Sequence, residues 1–249
     1  MTKIDYFLGE KKVNLDKIKN TIDQNIDKLP KKLTLVSIGQ YINSLKKISS
    51  YLEKREIETK LVNSIHTNLK GQILGCHRID PGDYLFLGEG KFHLEAFKAN
   101  QINDHLTSIN FDNYLSKNNK NINVYYITEL GLNKYSFNIE KSIKKVLKKY
   151  TIFLKKKEIG LLVSTKFGQK NTEVFKAKKR LEDRFKKKSF YIIIGDNLNN
   201  NSLKDFSYIE YFINTACPRI SIDDGSFFER PIMNYQNLIA SYEYFKKHS

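Results

Sequence analysis

The segment NTACPR, residues 214–219, directly follows a short apolar run at residues 209–213. The run is typical of a buried strand, and Pro218 favours an end to that strand because it has no N–H to donate to a neighbour. The sequence thus predicts that Cys217 lies just past a strand end, where open α/β sheets often carry their chemistry. A buried structural cysteine before a turn fits the same residues, because unpaired cysteine is among the most buried residue types.

Strands and helices are predicted to alternate on both sides of this segment. The alternation is typical of βαβ units with parallel strands, so we predict an α/β protein. The predicted strands are residues 33–39, 57–62, 83–87 and 123–127 in the first half, and 159–165, 190–194 and 209–213 in the second. Predicted helices follow at 41–52, 174–185 and 198–206, and residues 231–247 read as a closing strand and helix.

A long basic helix is predicted between the two halves, at residues 139–154. Its apolar residues share one stripe, and lysines occupy the opposite face. Such a helix could bind nucleic acid or a membrane surface. We interpret it instead as a connecting helix with a solvated lysine face.

The resulting division is into two similar α/β domains with parallel sheets, joined by the long helix. The first spans residues 31–133 and carries Cys76. The second spans residues 134–249, including the helix, and carries Cys217. Residues 1–30 combine a strand-like and a helical stretch, and we interpret them as a remnant of, or a linker from, a preceding domain.

Composition limits the class of protein. The chain has 249 residues, of which 40% are hydrophobic and 28% charged, and no apolar stretch is long enough to span a membrane. Two distant cysteines do not form a disulfide framework and fit a reducing, cytoplasmic location. The net charge of +16 favours an anionic partner. However, Lys far outnumbers Arg, so we favour a solvated lysine surface and do not expect nucleic acid to be the main partner.

Three further motifs could carry chemistry. Cys76 lies in GQILGCH, residues 71–77, too far from Cys217 for a local metal motif such as CxxC. GEGKFH (88–93) and STKFGQ (164–169) are turns after predicted strands, and such turns either bind anions through backbone N–H groups or simply connect elements. His77 and His93 are candidate acid–base groups, although an isolated histidine is more often structural.

Four segments, in this order and spacing, resemble the diphthamide synthesis enzymes, the 2-(3-amino-3-carboxypropyl)histidine synthases. They are GQILGC (71–76), GEGKFH (88–93), STKFGQ (164–169) and NTACPRISIDDG (214–225). The resemblance covers residues 30–240 and corresponds to the second and third domains of that family. It implies repeated α/β domains around a central four-iron four-sulfur (4Fe-4S) cluster.

The family's activity is the first step of diphthamide biosynthesis, by a noncanonical radical mechanism. One electron from the cluster cleaves S-adenosylmethionine at the methionine γ-carbon, and methylthioadenosine is the coproduct. The 3-amino-3-carboxypropyl radical then adds to C2 of a histidine of translation elongation factor 2. The resemblance implies that Cys76 and Cys217 are two of three cluster ligands, and that S-adenosylmethionine is contacted by Gly88, Gly90, His93, Lys166, Gly168 and Gln169.

The 249-residue sequence contains no counterpart of the family's first domain, which carries the third cysteine. That domain could be a separate polypeptide, this chain could be a non-catalytic or electron-accepting subunit, or it could be a degenerate relative. We favour a split or heteromeric enzyme with three partners: the elongation factor, a chain that supplies the third thiol, and an electron donor. The competing class is a basic binding module for the elongation factor or ribosomal RNA, with inert cysteines.

Overall fold

The computed structural model describes residues 9–62, 69–73, 82–89, 121–166, 172–222 and 228–248. The described residues up to Ile139 form one compact unit, and those from Glu140 onward form another. Each unit contains a sheet of mainly parallel strands with helices packed on it. The predicted class, two α/β domains with parallel sheets, is confirmed. In the part of the chain that the structure describes, no helix has the length and apolarity needed to cross a membrane.

The first unit is built on a five-stranded sheet with the order β2-β1-β3-β4-β5, in which β1 to β4 are parallel. Its strands are β1 (Lys32–Ser37), β2 (Glu58–Leu61), β3 (Tyr84–Leu87), β4 (Asn121–Thr128) and β5 (Gly131–Asn138). Its helices are α1 (Leu15–Asp23) and α2 (Ile42–Glu53). All four residues of β3 are buried, as expected for an inner parallel strand covered on both faces.

The strand β5 was not predicted, and it pairs antiparallel with β4. The two strands are joined at Glu129 and Leu130, and Gly131 takes a φ of +150° directly after the turn. Because β5 is an edge strand with exposed polar residues, it lacks the apolar run that marks an inner strand. The predicted domain boundary at 133–134 falls inside this strand, and the two units meet in sequence at Ile139 instead.

The helix α1 packs into the core of the first unit. The Asn14 side chain caps it by accepting a hydrogen bond from the Lys17 N–H at 3.1 Å. On its inner face Ile18 and Ile22 are fully buried in the same apolar cluster as Leu35 of β1. Residues 15–23 therefore contribute to this unit rather than lying outside it, while the strand predicted at residues 3–8 lies outside the described residues.

The second unit has a four-stranded, wholly parallel sheet with the order β7-β6-β8-β9. Its strands are β6 (Glu158–Ser164), β7 (Ser189–Gly195), β8 (Tyr211–Asn214) and β9 (Ile232–Asn234). Its helices are α3 (Ile139–Leu154), α4 (Val174–Arg184), α5 (Asn200–Leu203), α6 (Arg219–Ile222) and α7 (Tyr235–His248).

The long helix α3 is an integral part of the second unit. Most of the predicted apolar stripe is buried, with Ile143, Val146, Tyr150 and Phe153 each less than 9% exposed, whereas Leu154 at its end is exposed. Phe153 packs edge-on against Tyr211 of β8, with the ring centroids 5.6 Å apart. The helix is thus held by the sheet itself, and its aromatic contacts fix it over β8.

We predict that Ile18→Ala lowers the free energy of unfolding by about 2–5 kcal/mol, because it leaves a cavity where α1 meets the sheet. Lys17→Ala, on the exposed face of the same helix, is the matched control and should change it by less than about 0.5 kcal/mol. Chemical denaturation monitored by circular dichroism measures both. A loss below 1 kcal/mol for Ile18→Ala would show that α1 is dispensable to the first unit.

Candidate functional site

The four strands of the second sheet run in the same direction, so their carboxyl ends lie at one edge of the sheet. Several polar or reactive side chains follow those ends: Lys166 after β6, Asn197 after β7 and Cys217 after β8. This edge is where ligands bind in open parallel sheets. The sheet thus brings Lys166 and Cys217, which were predicted from separate motifs, to the same edge.

Two buried asparagines occupy this edge at the ends of β8 and β9. The parallel register places Asn214 opposite Asn234, and the two are only 2% and 5% exposed. Asn214 Nδ2 donates a hydrogen bond of 2.7 Å to Asn234 Oδ1. A buried amide is costly unless its donors and acceptors are paired, so each of these side chains has to find partners.

The remaining hydrogen bonds of the two amides hold the loop that carries Cys217. Asn214 Oδ1 accepts a hydrogen bond from the Ala216 N–H at 3.1 Å, and Asn214 Nδ2 also donates to the Cys217 carbonyl at 2.8 Å. Asn234 Nδ2 donates to the Pro218 carbonyl at 3.0 Å. The main chain on both sides of the thiol is therefore fixed by a pair of side chains that belong to the sheet.

The strand before the cysteine ends at Asn214, four residues before Pro218, which was predicted to end it. β8 ends at Asn214, and Thr215 still donates from both its N–H and its Oγ1 to the Leu162 carbonyl of the neighbouring β6, at 3.1 and 2.8 Å. The Asn214 side chain then accepts the Ala216 N–H, a local bond typical of a turn, and the chain turns before it reaches Pro218. Pro218 precedes the short helix α6, where its fixed φ suits a helix start.

The Cys217 side chain is half-buried, and it is a free thiol without a disulfide partner. Beside the loop lies a small pocket of about 100 Å³. Its lining consists of Asn214, Thr215, Ala216, Pro218, Asn234, Tyr235 and Gln236. The pocket thus has amide groups and backbone on its walls, and the loop that carries the thiol forms one side of it.

Lys166 lies two residues beyond β6 and is exposed. Its backbone N–H donates to the buried Ser164 hydroxyl at 3.1 Å, and its ammonium donates to Asn197 Oδ1 at 3.0 Å. This side chain therefore bridges the carboxyl ends of β6 and β7 and brings a positive charge to the edge. Gly168 and Gln169, the other predicted contacts from STKFGQ, lie outside the described residues.

In the first unit, a buried serine organises the corresponding edge. Ser37, the last residue of β1, is fully buried and donates from Oγ to the Leu87 carbonyl at 2.6 Å. Its backbone pairs with the strand-like segment 71–73, through Ser37 N–H to Gly71 O and Ile73 N–H to Ser37 O, both 2.8 Å. The start of GQILGC is thus held at the carboxyl end of β1.

Gly71 is required at this place. Its φ of +86° lies in the left-handed region, and a Cβ there would approach Leu45 Cδ2 to 2.8 Å. Gly88, a predicted cofactor contact, directly follows β3, and the next residue, Glu89, is paired with Lys11 at 2.6 Å. Cys76, His77, Gly90 and His93 lie outside the described residues, so their predicted roles stay predictions.

A half-buried lysine stabilises the segment that follows the cysteine. Lys149 of α3 donates from Nζ to the Ile232 carbonyl at 3.0 Å and to the Ser221 carbonyl at 3.4 Å. Burial lowers the pKa of Lys149, and the charge of Lys145 lowers it further. Tyr211 donates to the Lys149 carbonyl at 3.1 Å, and burial raises the pKa of that phenol. Lys149 thus departs from the solvated lysine face predicted for this helix.

The arrangement at the second sheet offers one thiol, one exposed ammonium and a pair of buried amides. Among the described residues, no three His, Cys, Asp or Glu side chains come together as a metal site. A metal centre at this edge therefore needs ligands in addition to Cys217. Sequence analysis missed Asn214, Asn234 and Lys149, although Asn at the end of two successive short apolar runs, YFIN and IMN, was a usable signal.

The fold is that of a diphthamide-synthesis enzyme. The structure of Dph2 from Pyrococcus horikoshii with a 4Fe-4S cluster superposes with a TM-score of 0.71 at 21% identity, covering 94% of this chain and 64% of that one. The family described as "Putative diphthamide synthesis protein" matches residues 2–246. The chain belongs to this family, as the four sequence segments predicted.

Its relatives carry the name 2-(3-amino-3-carboxypropyl)histidine synthase. The chain is 26% identical over 227 residues to subunit 1 from Caenorhabditis elegans, covering 89% of this chain and 52% of that protein. It is 23% identical over 235 residues to subunit 1 from Encephalitozoon cuniculi (93% and 62%) and 24% identical over 218 residues to the synthase from Pyrococcus horikoshii (84% and 56%). The chain thus spans between 52% and 62% of the length of these relatives.

We predict that Asn234→Ala loosens the cysteine loop and costs about 1–3 kcal/mol of unfolding free energy, because a buried Asn214 donor and the Pro218 carbonyl lose their partner. Hydrogen–deuterium exchange should rise at the Ala216 and Ile220 amides. Asn237→Ala on α7 is the matched control, because the Asn237 Oδ1 is buried without a hydrogen-bond partner among the described residues. Equal exchange in the two variants would contradict the role of Asn234.

We also predict a pH-dependent contribution from Lys149. Its pKa is lowered in the folded state from 10.5, so between the lowered value and 10.5 the unfolded chain binds more protons, and stability rises with pH. The free energy of unfolding of the wild type relative to Lys149→Met should therefore increase as the pH approaches 10.5. Denaturation at a series of alkaline pH values measures this. A difference between the wild type and Lys149→Met that does not change with pH would refute the assignment.

Proposed function

We propose that this chain takes part in the first step of diphthamide biosynthesis as one component of a split or heteromeric enzyme. The proposed reaction transfers the 3-amino-3-carboxypropyl group from S-adenosylmethionine to a histidine of translation elongation factor 2. The observation that carries the proposal is the Cys217 loop: a free, half-buried thiol held by two buried sheet amides, in a chain of the diphthamide-synthesis family.

The residues present fit an iron–sulfur cluster. Cluster iron is held by thiolates, and Cys217 has no disulfide partner that would occupy its sulfur. The amides of Asn214 and Asn234 bind the loop through its backbone, so the sulfur itself remains for a ligand. Main-chain anchoring of this kind fixes the ligand direction, as the surroundings of metal ligands generally do.

The proposed ligands from this chain are Cys217 and Cys76. When bound, a 4Fe-4S cluster would supply the electron that cleaves S-adenosylmethionine. Lys166, exposed at the same sheet edge as Cys217, would bind the carboxylate of the methionyl group through its ammonium. Gly88, Gly90 and Gly168 would allow close approach of the ligand to the backbone, with His93 and Gln169 as further polar contacts.

The two cysteines of the sequence leave a three-thiolate site one ligand short. The third thiol must therefore come from polypeptide outside these 249 residues. We propose a partner chain that contributes an α/β domain with a cysteine after a strand end, together with an electron donor. Cytoplasmic location, where thiols stay reduced, is part of the same proposal.

The competing function is a basic binding module with inert cysteines. The binding module is supported by the net charge of +16. The enzyme is supported by the two buried amides that hydrogen-bond the Cys217 loop. A merely buried thiol would be held by apolar packing and would not need polar groups in the core. The enzyme therefore accounts for an observation that the binding module leaves unexplained.

The test is co-expression with a candidate partner chain and anaerobic reconstitution with iron and sulfide. We predict visible iron–sulfur absorbance and release of methylthioadenosine from S-adenosylmethionine, both lost in Cys217→Ser and Cys76→Ser. Failure of every partner to give the absorbance, or undiminished iron content in both variants, would refute the proposal.

Two controls make the result interpretable. Circular dichroism must show that the cysteine variants fold, so that loss of iron reports loss of a ligand. Ser221→Ala is the matched variant: it removes a hydroxyl four residues from Cys217 whose hydrogen bond, to the Pro218 carbonyl, is a long 3.3 Å. It should retain full iron content.

A further inference from the structure

Three helices of the second unit end at the amino edge of its sheet, and each is followed by or ends in lysines. Lys155, Lys156 and Lys157 follow α3; Lys186, Lys187 and Lys188 follow α4; and Lys246 and Lys247 end α7. Because α3 and α4 precede parallel strands and α7 follows one, all three carboxyl ends lie at the edge opposite the Cys217 loop. We name the six exposed members Lys155, Lys157, Lys186, Lys187, Lys246 and Lys247 the amino-edge lysine cluster.

Direct contacts bring these helix ends together. Lys188 donates from Nζ to the carbonyls of Phe153 and Leu154 at 2.9 Å each and to that of Lys156, which joins the ends of α3 and α4. Tyr150 stacks on Phe245 with ring centroids 5.2 Å apart, which joins α3 to α7. The lysines therefore share one surface, although they are far apart in sequence.

Three carboxylates near the cluster, those of Glu158, Glu210 and Glu243, make their contacts with groups that are not cluster side chains. Glu210 accepts hydrogen bonds from the backbone N–H groups of Lys157 and Glu158 at 2.7 and 3.2 Å, which lower its pKa. Glu158 accepts from the Tyr191 hydroxyl at 2.8 Å, and Glu243 accepts from Arg184 at 3.3 Å. Glu210 and Glu243 also form ion pairs with Lys156 and Arg184, which are not members of the cluster, at 3.5 and 3.3 Å.

Other lysines of this lysine-rich chain do have acidic partners. Ion pairs join Lys11 to Glu89 and Lys32 to Glu58, and in the second unit Lys144 to Glu140 and Lys176 to Glu173. In the part of the chain that the structure describes, no such pair involves a member of the amino-edge lysine cluster. Exposed lysines such as Lys31 and Lys46 are likewise absent from these ion pairs, so the distinguishing feature of the cluster is that six such lysines lie on one surface.

Helix capping does not account for the cluster either. Each helix carboxyl end presents roughly half a negative charge, so three ends offset about one and a half of the six positive charges. Moreover, the carbonyls at the end of α3 are bonded to Lys188, which is not a member. Most of the positive charge remains available to a partner.

We propose that the amino-edge lysine cluster binds the phosphate backbone of nucleic acid without sequence preference. Lysine acts as a flexible point charge that suits phosphates, and contacts to phosphates dominate sequence-independent binding. Protein interfaces instead are depleted in lysine and need an apolar centre of several hundred Å². Near this edge the exposed large apolar side chains among the described residues are Leu154, at 47%, and the packed pair Tyr191 and Tyr208, at 37% and 51%, which is too little for such a centre.

The test measures binding of the full 249-residue chain to a fluorescent single-stranded RNA of about 20 nucleotides, by anisotropy at a series of salt concentrations. The variant carries K155Q, K157Q, K186Q and K187Q. We expect the slope of log affinity against log salt to fall by about 3, close to 0.7 per removed contact. A DNA strand of the same length should bind with similar affinity.

The matched control changes four exposed lysines of the first unit, K31Q, K46Q, K47Q and K54Q, which alters the net charge equally. It should keep the wild-type slope within about 1. An equal loss in both variants would overturn the proposal in favour of diffuse charge. Tighter binding to polyglutamate of matched charge than to RNA would overturn it in favour of an acidic protein. Because the cluster lies at the sheet edge opposite Cys217, the cluster variant should keep its iron content when it is reconstituted with the partner chain, which separates this test from that of the proposed function.

Discussion

The parallel register between β8 and β9 is the constraint on which the second unit's site depends. It sets Asn214 directly opposite Asn234 at the last paired position, where both side chains are buried. The buried amide donors and acceptors need hydrogen-bond partners there. The two side chains therefore bond to each other and to the backbone that follows β8. Since one residue of slip would turn one asparagine to the other face of the sheet, the register and the loop geometry are a single feature.

The fold could be read from the sequence wherever a strand is buried on both faces. Inner parallel strands such as β3 and β8 are continuous apolar runs, and α3 shows its buried stripe at helical spacing. β5 was not predicted because it lies at the edge of its sheet, pairs antiparallel and exposes polar side chains. Periodicity reports burial, so an element that is only partly buried leaves a weak trace.

The position of Cys217 just past a strand end was predictable from the sequence. The side-chain hydrogen bonds that hold its loop were not. The bond between Asn214 and Asn234 joins residues from two strands, and sequence alone does not give the register of strands that are not adjacent in the chain. Lys149 was hidden for another reason: a lysine beside the apolar stripe of α3 reads like its solvated neighbours, and only packing reveals that its ammonium is enclosed by two carbonyls.

Lys149 and Lys188 show that lysines of this chain also have a structural role, because their ammonium groups bind main-chain carbonyls. Lys149 uses its compact tetrahedral ammonium to bind carbonyls from two segments, those of Ser221 and Ile232. Lys188 binds three carbonyls at the end of α3 in the same way. The planar guanidinium of arginine carries the same charge but presents its donors in a fixed fork. At these two positions an exchange of lysine for arginine would therefore keep the charge at neutral pH but change the shape of the hydrogen-bond donor.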